Sequence, residues 1–232
     1  MGAKANGGIV TQAPVAQFHE HGHTMIAGYL GEAELAALCR LCDRWPRERS
    51  GGRDIEGGDR LTLANDGQLA GLAREFSGEP VQLLRAIGFD KSAEQNWFVP
   101  WHQDRSRPFD IEELPEEGIV YGRRRAGKLR AEATAEFLAR MVTLRIHLDD
   151  CLSESGPLEV VPGSHTRGVL TREDIGELVD RNVGVCCIAH RGDILAMRPL
   201  LVHRSQRAAA AARRRILHLD FAPVRWSSAA IA

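Results

Sequence analysis

Three His-x-Asp pairs stand in the chain from its middle onward: His102 and Asp104 in "PWHQD", His147 and Asp149 in "RIHLDD", His218 and Asp220 in "ILHLDF". Residues two apart on a strand point to the same face. Each pair could therefore share a metal ion, or simply occupy a half-buried strand, and the spacing alone does not choose. A facial site of two histidines and one carboxylate suits Fe(II) and leaves coordination positions open for cosubstrate and oxygen. It can take two ligands from one strand end, but the third must come from a distant strand.

Context separates the three pairs. His102 and Asp104 end the apolar run "NWFVPWHQD" and precede a long charged segment, so a metal there would face a mouth that a lid can cover. His203 ends "GDILAMRPLLVH", and Arg214 follows eleven residues later, opening the last core strand "RRRILHLDF". An antiparallel hairpin would bring Arg214 close to His203. Its planar fork can grip the far carboxylate of a cosubstrate such as 2-oxoglutarate. Arg213 and Arg215 compete for that role, but strand alternation turns them to the opposite face. His147 lies opposite the apolar face of Val142, Leu144, Ile146 and Leu148. It shares its face with Thr143 and Arg145, which either line a cavity or fill a satisfied strand face. His218 and Asp220 have no third ligand downstream.

The elements that must position these groups are mostly strands. After Pro80, short runs of β-branched and apolar residues alternate with turn signals such as Pro162-Gly163 and Gly192-Asp193. Before it, "HTMIAGYL" reads as a strand and Gly31 to Trp45 as an amphipathic helix. A polar, glycine-rich loop, "RERSGGRDIEGGDR", comes next, then a helix over "DGQLAGLAREFSG" capped by Asp66. The pattern predicts a mainly β (α+β) sandwich or barrel with helices packed outside. A helical part spans about 1–80 and a β core about 81–224. The charged stretch of about 105–140 is too long for an ordinary connection and reads as a lid insertion. Its arginines (Arg105, Arg107, Arg123 to Arg125) are balanced by Glu112, Glu113, Glu116 and Glu117 as a solvated loop.

The 232 residues, 44% of them hydrophobic, suit a single domain with a core of its own. A formal net charge of −1 argues against a nucleic-acid or membrane-surface role, which needs a basic face. No run of about 18 apolar residues exists, and the first residues lack a hydrophobic signal core. A soluble, cytoplasmic protein is expected. Five cysteines in such a chain point to reduced thiols. "CRLC" has zinc-like spacing but lies on a helix face with Leu35 and Leu38, where it packs; Cys186 and Cys187 are expected to pack in a strand. His19, His21 and His23 read as a solvated strand start, His165 as a turn residue and His190 as exposed.

The stretches "FDKSAEQNWFVPWHQD", "MVTLRIHLDD", "SGPLEVVPGSH", "GDILAMRPLLVH" and "RRRILHLDFA" together resemble the phytanoyl-CoA dioxygenase (PhyH) family of Fe(II)/2-oxoglutarate-dependent oxygenases. The resemblance covers about Leu83 to Pro223. It implies a double-stranded β-helix, a jelly-roll or cupin-like core. It implies His102, Asp104 and His203 as iron ligands and Arg214 as the anchor for the C5 carboxylate of 2-oxoglutarate. Ser205 matches a small polar position that supports that carboxylate, and Lys91 and Asn96 are candidates for touching the cosubstrate. Gln103, between two ligands, should point away. Related halogenases replace the ligand carboxylate with a small residue. Asp104 is present, so hydroxylation of an unactivated C–H on a small-molecule substrate is the default, with O2 and 2-oxoglutarate converted to succinate and CO2. The alternatives are a cupin-like metalloenzyme that needs the triad but not Arg214, and a non-catalytic small-molecule binding protein. No stretch reads as a CoA site, and the oligomeric state is not readable.

Overall fold

The computed structural model describes residues 12–44, 52–109, 119–125, 128–209 and 213–224, and for 106–132 the course of the backbone alone. Helix α1 (Gln12–His21) leads into strand β1 (His23–Ile26). Next come α2 (Glu32–Asp43), β2 (Gly52–Asp54), α3 (Gly57–Ala64), α4 (Gly67–Ser77) and the long β3 (Val81–Lys91). Then follow β4 (Val99–His102), β5 (Ser106–Phe109), β6 (Ile119–Arg125), β7 (Lys128–Ala133), α5 (Ala135–Arg140) and β8 (Val142–His147). The last part holds β9 (Leu158–Val160), α6 (Arg172–Arg181), β10 (Val185–Cys187), β11 (Ile194–Met197), β12 (His203–Ser205) and β13 (Arg214–Pro223).

Two antiparallel sheets with flanking helices form the double-stranded β-helix. One has six strands in the order β1-β11-β8-β13-β3-β2, the other four in the order β10-β9-β12-β4. The mainly β architecture expected from the strand pattern is what the chain adopts. Strand β8 shows how. All six of its residues are buried, yet its sequence alternates. Val142, Leu144 and Ile146 pack with Leu217, Leu219, Phe221 and the helical residues Leu69, Leu72 and Phe76. Each such side chain contributes about 1.5–3 kcal/mol by leaving water. Thr143, Arg145 and His147 are buried on the other face, toward the second sheet. There Leu195 and Met197 meet Leu158 and Val160.

Helix α4 begins as expected, with the Asp66 side chain accepting from the backbone N–H groups of Gln68 and Leu69. It ends at Gly78, whose φ of 74° closes the last turn. The expectations for three segments need correction. His19 and His21 belong to the last turn of α1, not to a strand start. Phe18, wholly buried against Phe76, docks that helix. Part of the "RERSGGRDIEGGDR" loop is ordered: β2 pairs with β3, and α3 opens at Gly57. Tertiary burial of Ile55 and Leu63 outweighs the local glycine content. The segment expected as a lid loop carries a three-stranded antiparallel sheet, β5-β7-β6, and α5. Only two residues, Ala126 and Gly127, separate β6 from β7, a hairpin spacing. Glu112, Glu113, Glu116 and Glu117 lie outside the described residues, as does Trp45.

All five thiols are free. Cys42 and Cys187 are buried as expected, but Cys186 is exposed, because β10 is an edge strand whose alternation turns it outward. Among the described residues no helix is long and apolar enough to cross a membrane.

Candidate active site

Strands β4 and β12 pair so that His102 and His203 lie directly opposite each other. Their ring centroids are 4.2 Å apart. Each ring has the same local geometry. Nδ1 of His102 donates to the Pro100 carbonyl and Nδ1 of His203 to the Leu201 carbonyl, both at 2.8 Å. These bonds fix the tautomer and turn each Nε2 lone pair inward. Strand β4 stops at His102. Asp104 therefore leaves the sheet, anchored by its N–H to the Pro199 carbonyl at 2.9 Å. One carboxylate oxygen comes to 3.6 Å from His102 Nε2 and the other to 3.7 Å from His203 Nε2. Those distances are too long for hydrogen bonds. The three donors surround a common space, and their ligand atoms lie within 4.8 Å of one another. Among the described residues this is the only such cluster.

Burial opposes the charge on Asp104, but the two imidazoles outweigh it and hold the carboxyl well below its usual range. Burial lowers His102, yet the Asp104 carboxylate overrides it and raises the pKa. His203 is pushed down to about 3 by burial and by His102, so its ring is neutral at ordinary pH. A carboxylate and two inward-facing imidazole nitrogens are the donor set a first-row metal ion takes.

These residues line one end of a cavity of about 100 Å³. Its other end is cationic. Lys91 on β3 and Arg214 on β13 are direct cross-strand partners. Lys91 Nζ donates to Ser205 Oγ at 3.0 Å and to the Gln206 carbonyl at 2.7 Å. Arg214 Nη1 donates to the Gly156 carbonyl, which also accepts from Ser205 Oγ at 3.0 Å. Arg214 is 3% exposed and its Nε has no partner. Burial, then Arg214 and Arg145, lower the Lys91 pKa to about 7. The neighbouring arginines do turn outward. Arg213 pairs with Asp90 and Asp43, and Arg215 binds Asp149 with both Nε and Nη2.

The structure thus brings His102, Asp104, His203, Lys91, Ser205 and Arg214 around one cavity. Asn96 does not join them. Both ends of its amide hold the Ala208 backbone, at 2.8 and 2.9 Å, so it fixes the segment after β12. Gln103 points away as expected, binding the Gly168 and Leu200 carbonyls and the Leu170 N–H. His165 sits in the turn Ser164–Arg167 against the His19 carbonyl, and His190 is exposed. Sequence reasoning left Arg145 open and set His218 aside; both line the cavity. The alternation of "TLRIH" gave the face of Arg145, but the β8–β13 register that pairs it with His218 has no local signal.

The family model "Phytanoyl-CoA dioxygenase (PhyH)" matches residues 18–216. The L-proline trans-4-hydroxylase of Streptomyces griseoviridis is 30% identical over 102 residues, which span 44% of this chain and 30% of that relative's length. Among solved structures, HygX from Streptomyces hygroscopicus with nickel and 2-oxoglutarate bound is 21% identical, with a TM-score of 0.65 over 93% of this chain and 88% of its own. The non-heme α-ketoglutarate-dependent epimerase SnoN of nogalamycin biosynthesis is 17% identical, with a TM-score of 0.65 over 91% of this chain and 82% of its own. At these identities both structures are likenesses of fold.

Proposed function

The chain belongs to the phytanoyl-CoA dioxygenase (PhyH) family, and from that premise we propose that residues 1–232 form a single Fe(II)/2-oxoglutarate oxygenase domain that hydroxylates a C–H of a small molecule. His102, Asp104 and His203 hold the iron, and Arg214 anchors the C5 carboxylate of 2-oxoglutarate. The observation that carries this reading is the pair of matched Nδ1 bonds, to Pro100 and Leu201, which leave two Nε2 lone pairs and a carboxylate facing one space. A dicarboxylate complements the other end of the cavity: Arg214 has an unused buried Nε, and Lys91 and Ser205 stand beside it.

Bound there, iron(II), 2-oxoglutarate and O2 supply the oxidant that takes hydrogen from an unactivated C–H, with succinate and CO2 as coproducts. The chain's own residues do the rest. Arg214 and Lys91 orient the cosubstrate along the cavity. Ser205 spaces the two cations, donating to the Gly156 carbonyl while accepting from Lys91. Phe89, Val99 and Leu158 supply apolar wall that keeps water from the reacting centre. HygX was crystallised with hygromycin B and the proline hydroxylase is named for an amino acid, which supports a small-molecule substrate here.

The test is an anaerobic Fe(II) titration with and without 2-oxoglutarate, following the weak visible band of a chelated keto acid. The band is expected in the wild type, weaker in Arg214→Ala and absent in His203→Ala. Iron binding with no band would instead favour a cupin-like metalloenzyme that does not use 2-oxoglutarate. No iron binding would sink the catalytic reading.

A further inference from the structure

A third cation, Arg145, stands in the cavity beyond the two assigned to the cosubstrate. We propose that Arg145 binds a carboxylate of the substrate, so that the enzyme acts on small carboxylic acids; this rests on the iron and 2-oxoglutarate assignments above.

Arg145 is 6% exposed and lines the cavity with the triad. It is rigidly held. Its Nη1 donates to His218 Nδ1 at 2.9 Å, which makes that nitrogen the acceptor and leaves the proton on Nε2. His218 Nε2 donates to Asp220 Oδ1 at 3.1 Å, and the same oxygen accepts from Thr143 at 2.6 Å. The Arg145 guanidinium lies 5.3 Å from the centroid of the Phe89 ring, which the His218 ring meets edge-on. Nothing in this chain of bonds uses Arg145 Nε, which is buried without a partner. A buried donor with no acceptor is costly, and the Nε side of a guanidinium is one that meets a carboxylate.

Position separates Arg145 from the cosubstrate's anchor. The β8–β13 register sets it opposite His218, four residues along β13 from Arg214, or about 13 Å between backbones. Burial and then the Arg214 guanidinium oppose its charge, while the Asp104 carboxylate favours it. Charge then selects the ligand. Asp104 is the sole carboxylate lining the cavity among the described residues, against Lys91, Arg145 and Arg214; Asp220 stands behind His218. The two carboxylates of 2-oxoglutarate offset the two charges of Fe(II). The loaded cavity therefore keeps a positive excess, which a neutral or cationic substrate would leave uncompensated. A phosphate brings up to two charges and three acceptor oxygens, more than one Nε edge can serve.

The experiment titrates the anaerobic Fe(II)·2-oxoglutarate protein with common L-amino acids, short hydroxy acids and benzoate, each beside its neutral amide. Binding is read by heat and by perturbation of the visible band. At least one carboxylate is expected to saturate the wild type, with its amide about tenfold weaker or worse, the factor for losing a charge-assisted bond. Arg145→Met should lose the same factor for the acid while binding 2-oxoglutarate like the wild type. Arg145→Gln replaces it if the methionine variant does not fold. The proposal is overturned if no acid saturates the loaded wild type, or if the variant binds the acid equally well. It is also overturned if the variant loses 2-oxoglutarate, which would assign Arg145 to the cosubstrate. A wild type that shows no band with Fe(II) and 2-oxoglutarate fails earlier, at the underlying assignment.

Discussion

His218 and Asp220 sit inside β13, flanked on both sides by paired strands, while His102 and Asp104 sit where β4 stops. The inner pair keeps its register with β8 throughout and with β3 as far as Asp220, after which the β3 ladder shifts. Its side chains share a face and bond to each other at 3.1 Å, 3% and 0% exposed, so no gap is left for an ion. The outer pair is freed by the strand end. Asp104 turns out of the sheet and stands between its own neighbour and the imidazole of the facing strand, 3.6 Å from His102 Nε2 and 3.7 Å from His203 Nε2, sealed against neither. One dipeptide spacing thus makes a bonded core contact in one sheet and an open donor set in the other, and the difference lies in whether the strand runs on past its histidine.

Substitutions can break that comparison. The largest effect is expected at the open donor set that the outer pair forms with His203: His203→Ala or Asp104→Ala should weaken Fe(II) binding more than about 100-fold, because a ligand outweighs the 10–100-fold of an outer-shell partner. Next comes the far end of the cavity. Arg214→Ala should raise the Kd for 2-oxoglutarate about 100-fold while leaving Fe(II) affinity alone, measured by the same titration. At the closed pair the effect should move from binding to stability. Asp220→Ala strands the Thr143 hydroxyl and His218 N–H and should cost about 2 kcal/mol in denaturant unfolding, with Fe(II) affinity kept within about threefold.

The smallest effect is a proton. Lys91, lowered to about 7, is mostly neutral in the free site at pH 8. A carboxylate beside it favours the charged form, so 2-oxoglutarate binding at pH 8 should take up close to one proton. Calorimetry in two buffers of different ionisation enthalpy reads this, and Lys91→Met should abolish it. The same shift affects the unliganded fold with a definite sign. Between pH 7 and 10 the unfolded chain holds the Lys91 proton that the folded chain has released, so the Lys91 contribution to stability rises with pH over that window and is lost as pH falls toward 7.

What the sequence made legible was local. Alternation in "MVTLRIHLDD" gave the two faces of β8, and the outward turn of Arg213 and Arg215 followed from strand period alone. Asp66 announced α4 because a cap acts within one turn. The misses needed distant partners. Helix α1 depends on Phe18 reaching Phe76, and α3 and β2 on packing against β3. Asn96 looked available for cosubstrate, but Ala208, 112 residues away, takes its amide. Arg145 and His218, 73 residues apart, meet only through strand register.

Gly156 sets a limit for anyone wishing to re-engineer the cosubstrate end. Its φ is 63°, and a Cβ there would collide with the Gln206 carbonyl oxygen. Its own carbonyl is the shared acceptor for Arg214 and Ser205. In a saturation library this position should tolerate nothing but glycine, however permissive the surrounding wall proves. A variant library aimed at other keto acids is therefore better spent on Lys91 and Ser205, which change the chemistry presented, than on the backbone that aims it.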